Sequence, residues 1–268
     1  MSDILSTKNL HCEYTTNPIG IDVRQPRLSW QLVSDRRGTR QGAYRILVAD
    51  SLTRIEQDQG NIWDSQRVSS DQSIQVEYAG PDLESRQRYY WKVMVWDSGN
   101  DVAQWSQVAF WEMGLLADSE WKAKWITADI PEDKGEMSAC PMFRTEFDIG
   151  ENVETARIYV TCLGTYELHL DGQRVEDAYF TPGWSSYQAR LQYQTFDVTG
   201  QLSSGRHAIG AVVADGWYRG NLANFSGSGR HTYGDTLALC LQMVIRYSME
   251  LLDASGEPLM RLEATFLR

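Results

Sequence analysis

Apolar residues recur at every second position in short runs through most of this chain, and each run closes within a few residues of a turn former. A repeat of two places alternate side chains on opposite faces of an extended backbone, so the pattern demands half-buried strands rather than helices. In "RLSWQLV" (27–33), Leu28, Trp30 and Leu32 share one face, and in "GAYRILVAD" (42–50) Tyr44, Ile46 and Val48 do the same. "RYYWKVMVWDSGN" (88–100) carries Tyr89, Trp91, Val93 and Val95 on one face and Tyr90, Lys92, Met94 and Trp96 on the other, then turns at Gly99-Asn100. "SLTRIEQDQ" is the best helix candidate in this region, with Ser51 as N-cap and about two turns behind it. Strands at such spacing, closed by "VAQWSQVAFWEMGLL", predict an antiparallel sandwich over 1–116.

Residues 117–141 read as a linker. They are charged, lack sustained periodicity, and carry Trp121 and Trp125 four positions apart, placed to pin the segment into a groove. A second unit is expected over 142–268. Its clearest element is "TYELHLDGQRV", where two alternating runs flank Asp171-Gly172, a dipeptide suited to the positive φ angles of a type I′ hairpin turn. "RLQYQTFDVTG" and "HAIGAVVADGW" follow as strands. "TLALCLQMVIRYSMELLDASG" is apolar enough for either helix or strand, and its sheet context favours strand. The fold class expected is therefore all-β, with two β-sandwich domains. At 268 residues and 42% hydrophobic content, the chain holds enough apolar material for both cores.

The bulk charge excludes some partners. A net charge of −11 argues against nucleic acid or an anionic membrane surface, since phosphate binding needs clustered Lys and Arg. No run approaches the ~20 apolar residues of a membrane helix. The start, "MSDILSTKNLHCEY", lacks the basic-then-apolar pattern of a secretory signal, and Cys12, Cys140, Cys162 and Cys240 are far apart, so a reducing cytoplasm is expected. Ten tryptophans and thirteen tyrosines stand out; such residues suit a pleated sheet and also stack on sugar rings.

Most reaction chemistries lack their residues. The glycines of "GSGRHTYG" break the dinucleotide spacing, and neither a phosphate loop nor a serine nucleophile elbow is present. His11, His169, His207 and His231 are scattered, so no metal site and no cofactor is expected. Asp215 and Asp235 bracket the polar, glycine-rich stretch "DGWYRGNLANFSGSGRHTYGD" (215–235) and could form a carboxylate pair, but carboxylates at loop ends ordinarily cap backbone amides. "TPGWSSYQARLQYQT" (181–195) and "DGWYRGN" (215–221) each join aromatic rings with arginine and small polar residues. Rings would cover the C–H face of a sugar while polar groups meet its hydroxyls. The alternative is that Trp184 and Trp217 wedge loops against the sandwich and that Arg190 or Arg219 pairs with a carboxylate. The candidates for carbohydrate contact are Trp184, Tyr187, Arg190, Asp215, Trp217, Tyr218, Arg219 and Asn221.

Taken in order, "NPIGIDVRQPRLSWQL" (17–32), "YYWKVMVWD" (89–97), "WSQVAFWEMGLL" (105–116), "YELHLDGQRV" (166–175), "TPGWSSYQARLQYQTFDVT" (181–199) and "ADGWYRG" (214–220) resemble the N-terminal region of bacterial α-L-rhamnosidases of the glycoside hydrolase family 78 type. The resemblance implies a fibronectin-type-III-like sandwich followed by a jelly-roll-like one that helps recognise substrate, with rhamnose-containing glycosides as the ligands to consider. It also implies that hydrolysis of terminal α-L-rhamnose, with inversion, belongs to an (α/α)₆ barrel of several hundred residues. That barrel is expected to be absent from this chain, so no catalytic residue is carried over, and the implied function is a non-catalytic accessory region that docks against the missing catalytic domain. After Tyr247 the likeness fades, and an unpaired edge strand near the end would invite a homo-oligomer. A structural scaffold or interaction module that binds no sugar is one rival reading, and part of an active α-L-rhamnosidase is the other.

Overall fold

The computed structural model describes residues 5–99, 104–132, 138–222 and 229–248, with the backbone of 261–267. Two compact units, Met1–Glu120 and Trp121–Arg268, divide the chain. The described residues are nearly all strand and loop, and no helix among them is long and apolar enough to cross a membrane.

The first unit contains β1 (Ser6–Cys12), β2 (Ile19–Ile21), β3 (Arg27–Val33), β4 (Gln41–Ala49), α1 (Leu52–Glu56), β5 (Trp63–Asp64), β6 (Val76–Glu77), β7 (Arg88–Asp97) and β8 (Ala109–Met113). A three-stranded sheet, β1-β3-β6, faces a five-stranded sheet, β2-β8-β7-β4-β5. The alternation in the sequence sets the faces. Leu28, Trp30, Ile46, Val48, Tyr89, Trp91, Val93 and Val95 fill the core between the sheets. Much of the aromatic content is spent here: Tyr78 meets Trp63 and Trp111 edge-on at 5.1 and 6.0 Å, and Tyr89 stacks on Trp111. Gln41 satisfies the polar groups of this core, accepting from the Trp30 indole at 2.9 Å and donating to the carbonyls of Ser70 and Gln72. On the outer face Leu47 and Ala49 bury Ile55 of α1, which Ser51 precedes as N-cap without a side-chain bond. Lys92 lies buried on that face, paired with Asp58 and over the Trp105 ring. Gly99 makes the turn read at 99–100; Asn100 lies outside the described residues.

The second unit contains β9 (Met142–Ile149), β10 (Val153–Leu163), β11 (Thr165–Leu170), β12 (Gln173–Arg174), β13 (Gln194–Asp197), β14 (Gly205–Ala214), α2 (Gly216–Arg219), β15 (Ala238–Ser248) and β16 (Arg261–Leu267). Two four-stranded antiparallel sheets, β13-β10-β15-β16 and β12-β11-β14-β9, enclose a core of residues such as Ile158, Val160, Leu168, Val213 and Ile245. The hairpin forms as expected, with Asp171 at φ 51° and Gly172 at φ 80° and Leu170 opposite Gln173. The ambiguous run is a strand over Ala238–Ser248, its remainder from 249 lying outside the described residues: β15 pairs with β10 along one edge and with β16 along the other. Residues 121–127 attach to this unit. Ile126 and Leu239 exchange two backbone bonds of 2.9 Å, Gln242 accepts from the Lys122 amide, and Trp121 meets Tyr193 edge-on. Trp125, expected to pin the same stretch, is instead exposed.

Asp171 has a second task. It accepts from the Ala208 amide and from His207 Nδ1 at 2.6 Å, while His207 Nε2 faces the Ser203 carbonyl at 2.8 Å. Both partners of the ring can only accept, so both ring nitrogens must donate, which the imidazolium does. Burial works against that charge, but the bonds to Asp171 and Ser203 outweigh it and raise the pKa above its ordinary 6.5. The Asp171 carboxyl is held below its usual range, first by the Ala208 amide and also by His207. The stability from His207 is therefore complete below its unfolded pKa and is lost as pH rises through the raised folded value. Thermal melts of the chain and of His207→Gln should differ more at about pH 5.5 than at about pH 8.5. An equal difference at both would contradict the charged bridge.

Candidate carbohydrate-binding surface

One end of the second sandwich carries three tiers of side chains. The deepest is ionic. Arg219, 4% exposed, places Nη1 2.6 Å from Glu132 and Nε 2.7 Å from Asp215, the N-cap residue of α2. The other oxygen of Asp215 accepts from Arg230 at 3.1 Å. Burial disfavours the Arg219 charge, yet the bonds to Glu132 and Asp215 prevail and raise its pKa. Two cations thus meet two carboxylates, which spares the structure an uncompensated buried charge. The cluster ties the segment before β9, the start of α2 and the loop residue Arg230 into one piece.

Above it lie three tyrosines. Tyr187 meets Tyr218 edge-on at 5.1 Å and Tyr233 at 4.9 Å. Burial pushes the Tyr187 hydroxyl up to about 12 and raises that of Tyr218, so both remain protonated at neutral pH. Glycine makes the fit possible. At Gly216 (φ 51°) a Cβ would sit 2.5 Å from Thr165 Cγ2, and at Gly234 it would overlap the Tyr218 hydroxyl.

The outermost tier is the most open, with Phe180 and Trp184 exposed and Trp217 half-buried beside them. Trp184 and Trp217 lie nearly parallel, 7° apart in plane with centroids at 6.2 Å, and Phe180 meets Trp217 edge-on at 5.7 Å. The Trp184 indole donates to the Tyr233 hydroxyl at 3.0 Å, which couples this tier to the one below. Phe180 is 69% exposed and has φ 58°. A bulky residue rarely takes that backbone conformation, and here it presents an aromatic ring to water. Thr181 holds the segment down through reciprocal bonds with Tyr166.

Six of the candidates therefore come together: Trp184, Tyr187, Asp215, Trp217, Tyr218 and Arg219. Arg190 is exposed at the end of the turn that follows Ser185, and its carbonyl accepts from the Ser185 hydroxyl. Asn221 is exposed beyond α2, where Gly229 passes so close that a Cβ would strike its side-chain oxygen. Residues 223–228 of the polar stretch lie outside the described residues. Sequence reasoning did not select Phe180, Tyr233, Glu132 or Arg230. Phe180 adjoins the quoted "TPGWSSY" and Tyr233 lies in the polar stretch, whereas nothing local marks Glu132, which joins Arg219 across 87 positions.

Both oxygens of Asp215 are engaged by guanidinium groups, so they are poorly placed to exchange a proton with a bound molecule. Among the described residues no group of three or more His, Cys, Asp or Glu side chains could hold a metal ion.

Such an architecture, two β-sandwiches with ringed loops at one end of the second, is that of an all-β module with a concentrated aromatic surface. Comparison with known proteins gives it a family. Residues 7–117 match the Rha78A-like N-terminal immunoglobulin domain, and residues 151–254 match the α-L-rhamnosidase N-terminal domain. The chain carries the N-terminal domains of the α-L-rhamnosidase family. It is 35% identical over 227 residues to an α-L-rhamnosidase of Formosa agariphila and 37% identical over 216 residues to one of Alteromonas. Each alignment takes in 78% of this chain but only 24% and 23% of the relative. Among solved structures, the α-L-rhamnosidase of Streptomyces avermitilis complexed with L-rhamnose superposes with a TM-score of 0.83 at 26% identity, covering 97% of this chain and 40% of that one. The enzyme from Aspergillus terreus gives 0.80 at 32% identity, covering 97% and 28%.

If Arg219 organises this end of the sandwich, replacing it with methionine strands two carboxylates. Both are partly solvated, so the expected loss of stability is about 1–3 kcal/mol, below that for a fully buried pair. Chemical denaturation of Arg219→Met measures it, and an unchanged midpoint would contradict the organising role.

Proposed function

We propose that the chain is a non-catalytic accessory region of an α-L-rhamnosidase-like glycoside hydrolase, and that its second sandwich, read as a jelly roll, holds rhamnose-containing glycosides. The observation that carries the reading is the outward tier of Phe180, Trp184 and Trp217, backed by tyrosines that fix its geometry. A deoxyhexose offers a methyl group and C–H faces to such rings, and buried apolar area is what a weak monosaccharide site depends on. Asn221 and Arg190, both exposed, are the candidates for hydroxyl contacts. Arg219 and Asp215 act beneath the surface, by positioning Trp217 and Tyr218. Hydrolysis in a whole enzyme of this kind is assigned to a separate catalytic domain, against which these sandwiches dock. A cytoplasmic setting suits the buried free thiols of Cys12, Cys162 and Cys240.

The exposed rings of Phe180 and Trp184 favour a second reading, a docking surface for another domain with no sugar affinity. Titration calorimetry with L-rhamnose separates the two. The first reading predicts saturable heat with a Kd on the order of 1 mM, about 4 kcal/mol of binding free energy, lost in Trp217→Ala while circular dichroism stays unchanged. Absence of heat at millimolar sugar leaves the docking reading.

A further inference from the structure

Strand β9 ends its sheet. Its inner edge pairs with β14 over eight positions, from Met142 opposite Val212 to Ile149 opposite Gly205. No described residue pairs with its outer edge. An open strand edge of this length is a template for another strand, and natural proteins usually shorten, bulge or cover it. Here it is regular, with Met142 78% exposed.

The strand is also self-complementary. In "MFRTEFD" (142–148) Thr145 sits at the centre, phenylalanines stand two positions to either side, and the residues next to it are Arg144 and Glu146. We propose that β9 pairs antiparallel with β9 of a second copy of this chain about a twofold axis at Thr145. In that register Phe143 lies opposite Phe147 of the other copy and Arg144 opposite Glu146, each pair occurring twice, as an isologous interface requires. Neighbouring registers are worse. Sliding by one step of the pleat toward Glu146 sets Glu146 against Glu146, and sliding the other way sets Arg144 against Arg144. Odd shifts bring inward residues against outward ones.

Two features of the fold support this pairing. Phe143 and Phe147, on the inner face of β9, line an open apolar cavity of about 520 Å³ between the sheets, with Leu168, Ile209, Leu239 and Met243. A strand added at β9 extends the wall of that cavity and brings two more phenyl rings to its mouth. On the outer face Glu146 already draws Arg144 at 2.6 Å and Arg206, so one carboxylate serves two cations, and its pKa is lowered first by Arg144. Pairing supplies each Arg144 with a second carboxylate. The proposal is independent of sugar binding.

Sedimentation equilibrium of the whole chain at micromolar concentration tests it. The expected result is a dimer that weakens with salt. Arg144→Glu and Glu146→Arg should each weaken it roughly tenfold or more by opposing like charges. Mixing the two variants should restore the dimer, because each then meets its complement, and R144E/E146R combined in one chain should restore it too. Arg144 is well exposed, so folding, checked by circular dichroism, is expected to survive. A monomeric parent chain, a dimer indifferent to Arg144→Glu, or single variants that fail to recombine would overturn the proposal.

Discussion

A guanidinium almost wholly removed from water needs carboxylates around it, and Arg219 has drawn one from each direction the chain offers. Asp215 comes from one turn earlier, and Glu132 from the segment that leads into β9. Once those partners are fixed, α2 is held in place, and with it Trp217 and Tyr218, the two residues that precede the buried arginine. Tyr187, Tyr233 and Trp184 then pack in sequence outward from them. The aromatic surface is thus an outgrowth of a buried electrostatic requirement.

The first unit solves a different problem with the same residue types. Its tryptophans and tyrosines are mostly turned inward, where Trp91 and Trp111 are fully buried, and cations rest on those of its outer face. High aromatic content in this chain therefore has two physical meanings, packing in one unit and presentation in part of the other.

What the sequence made legible follows this division. Strand faces were readable because a repeat of two is local: the residues assigned to one face of 88–97 are those found in the core. The Asp171-Gly172 turn was readable because few residues take positive φ at both centres. The gathering of Trp184 and Trp217 was half readable, from shared composition rather than from any rule that joins them. Glu132 was not readable at all, since a contact across 87 positions leaves no periodic trace. The buried Lys92 was likewise hidden, because its burial depends on Trp105 and Asp58 lying over the outer face.

The family relation sets the context in which this surface works, since the relatives are several times longer than the span they share with this chain. The central claim is that this end of the second sandwich is where a sugar is held. Nitrogen-15 correlation spectra of the chain, recorded as L-rhamnose is added, address it residue by residue. The account predicts progressive shifts of the Trp184 and Trp217 indole signals, with those of Trp91 and Trp111 in the first core unmoved. Shifts confined to other residues, or none at saturating sugar, would contradict it.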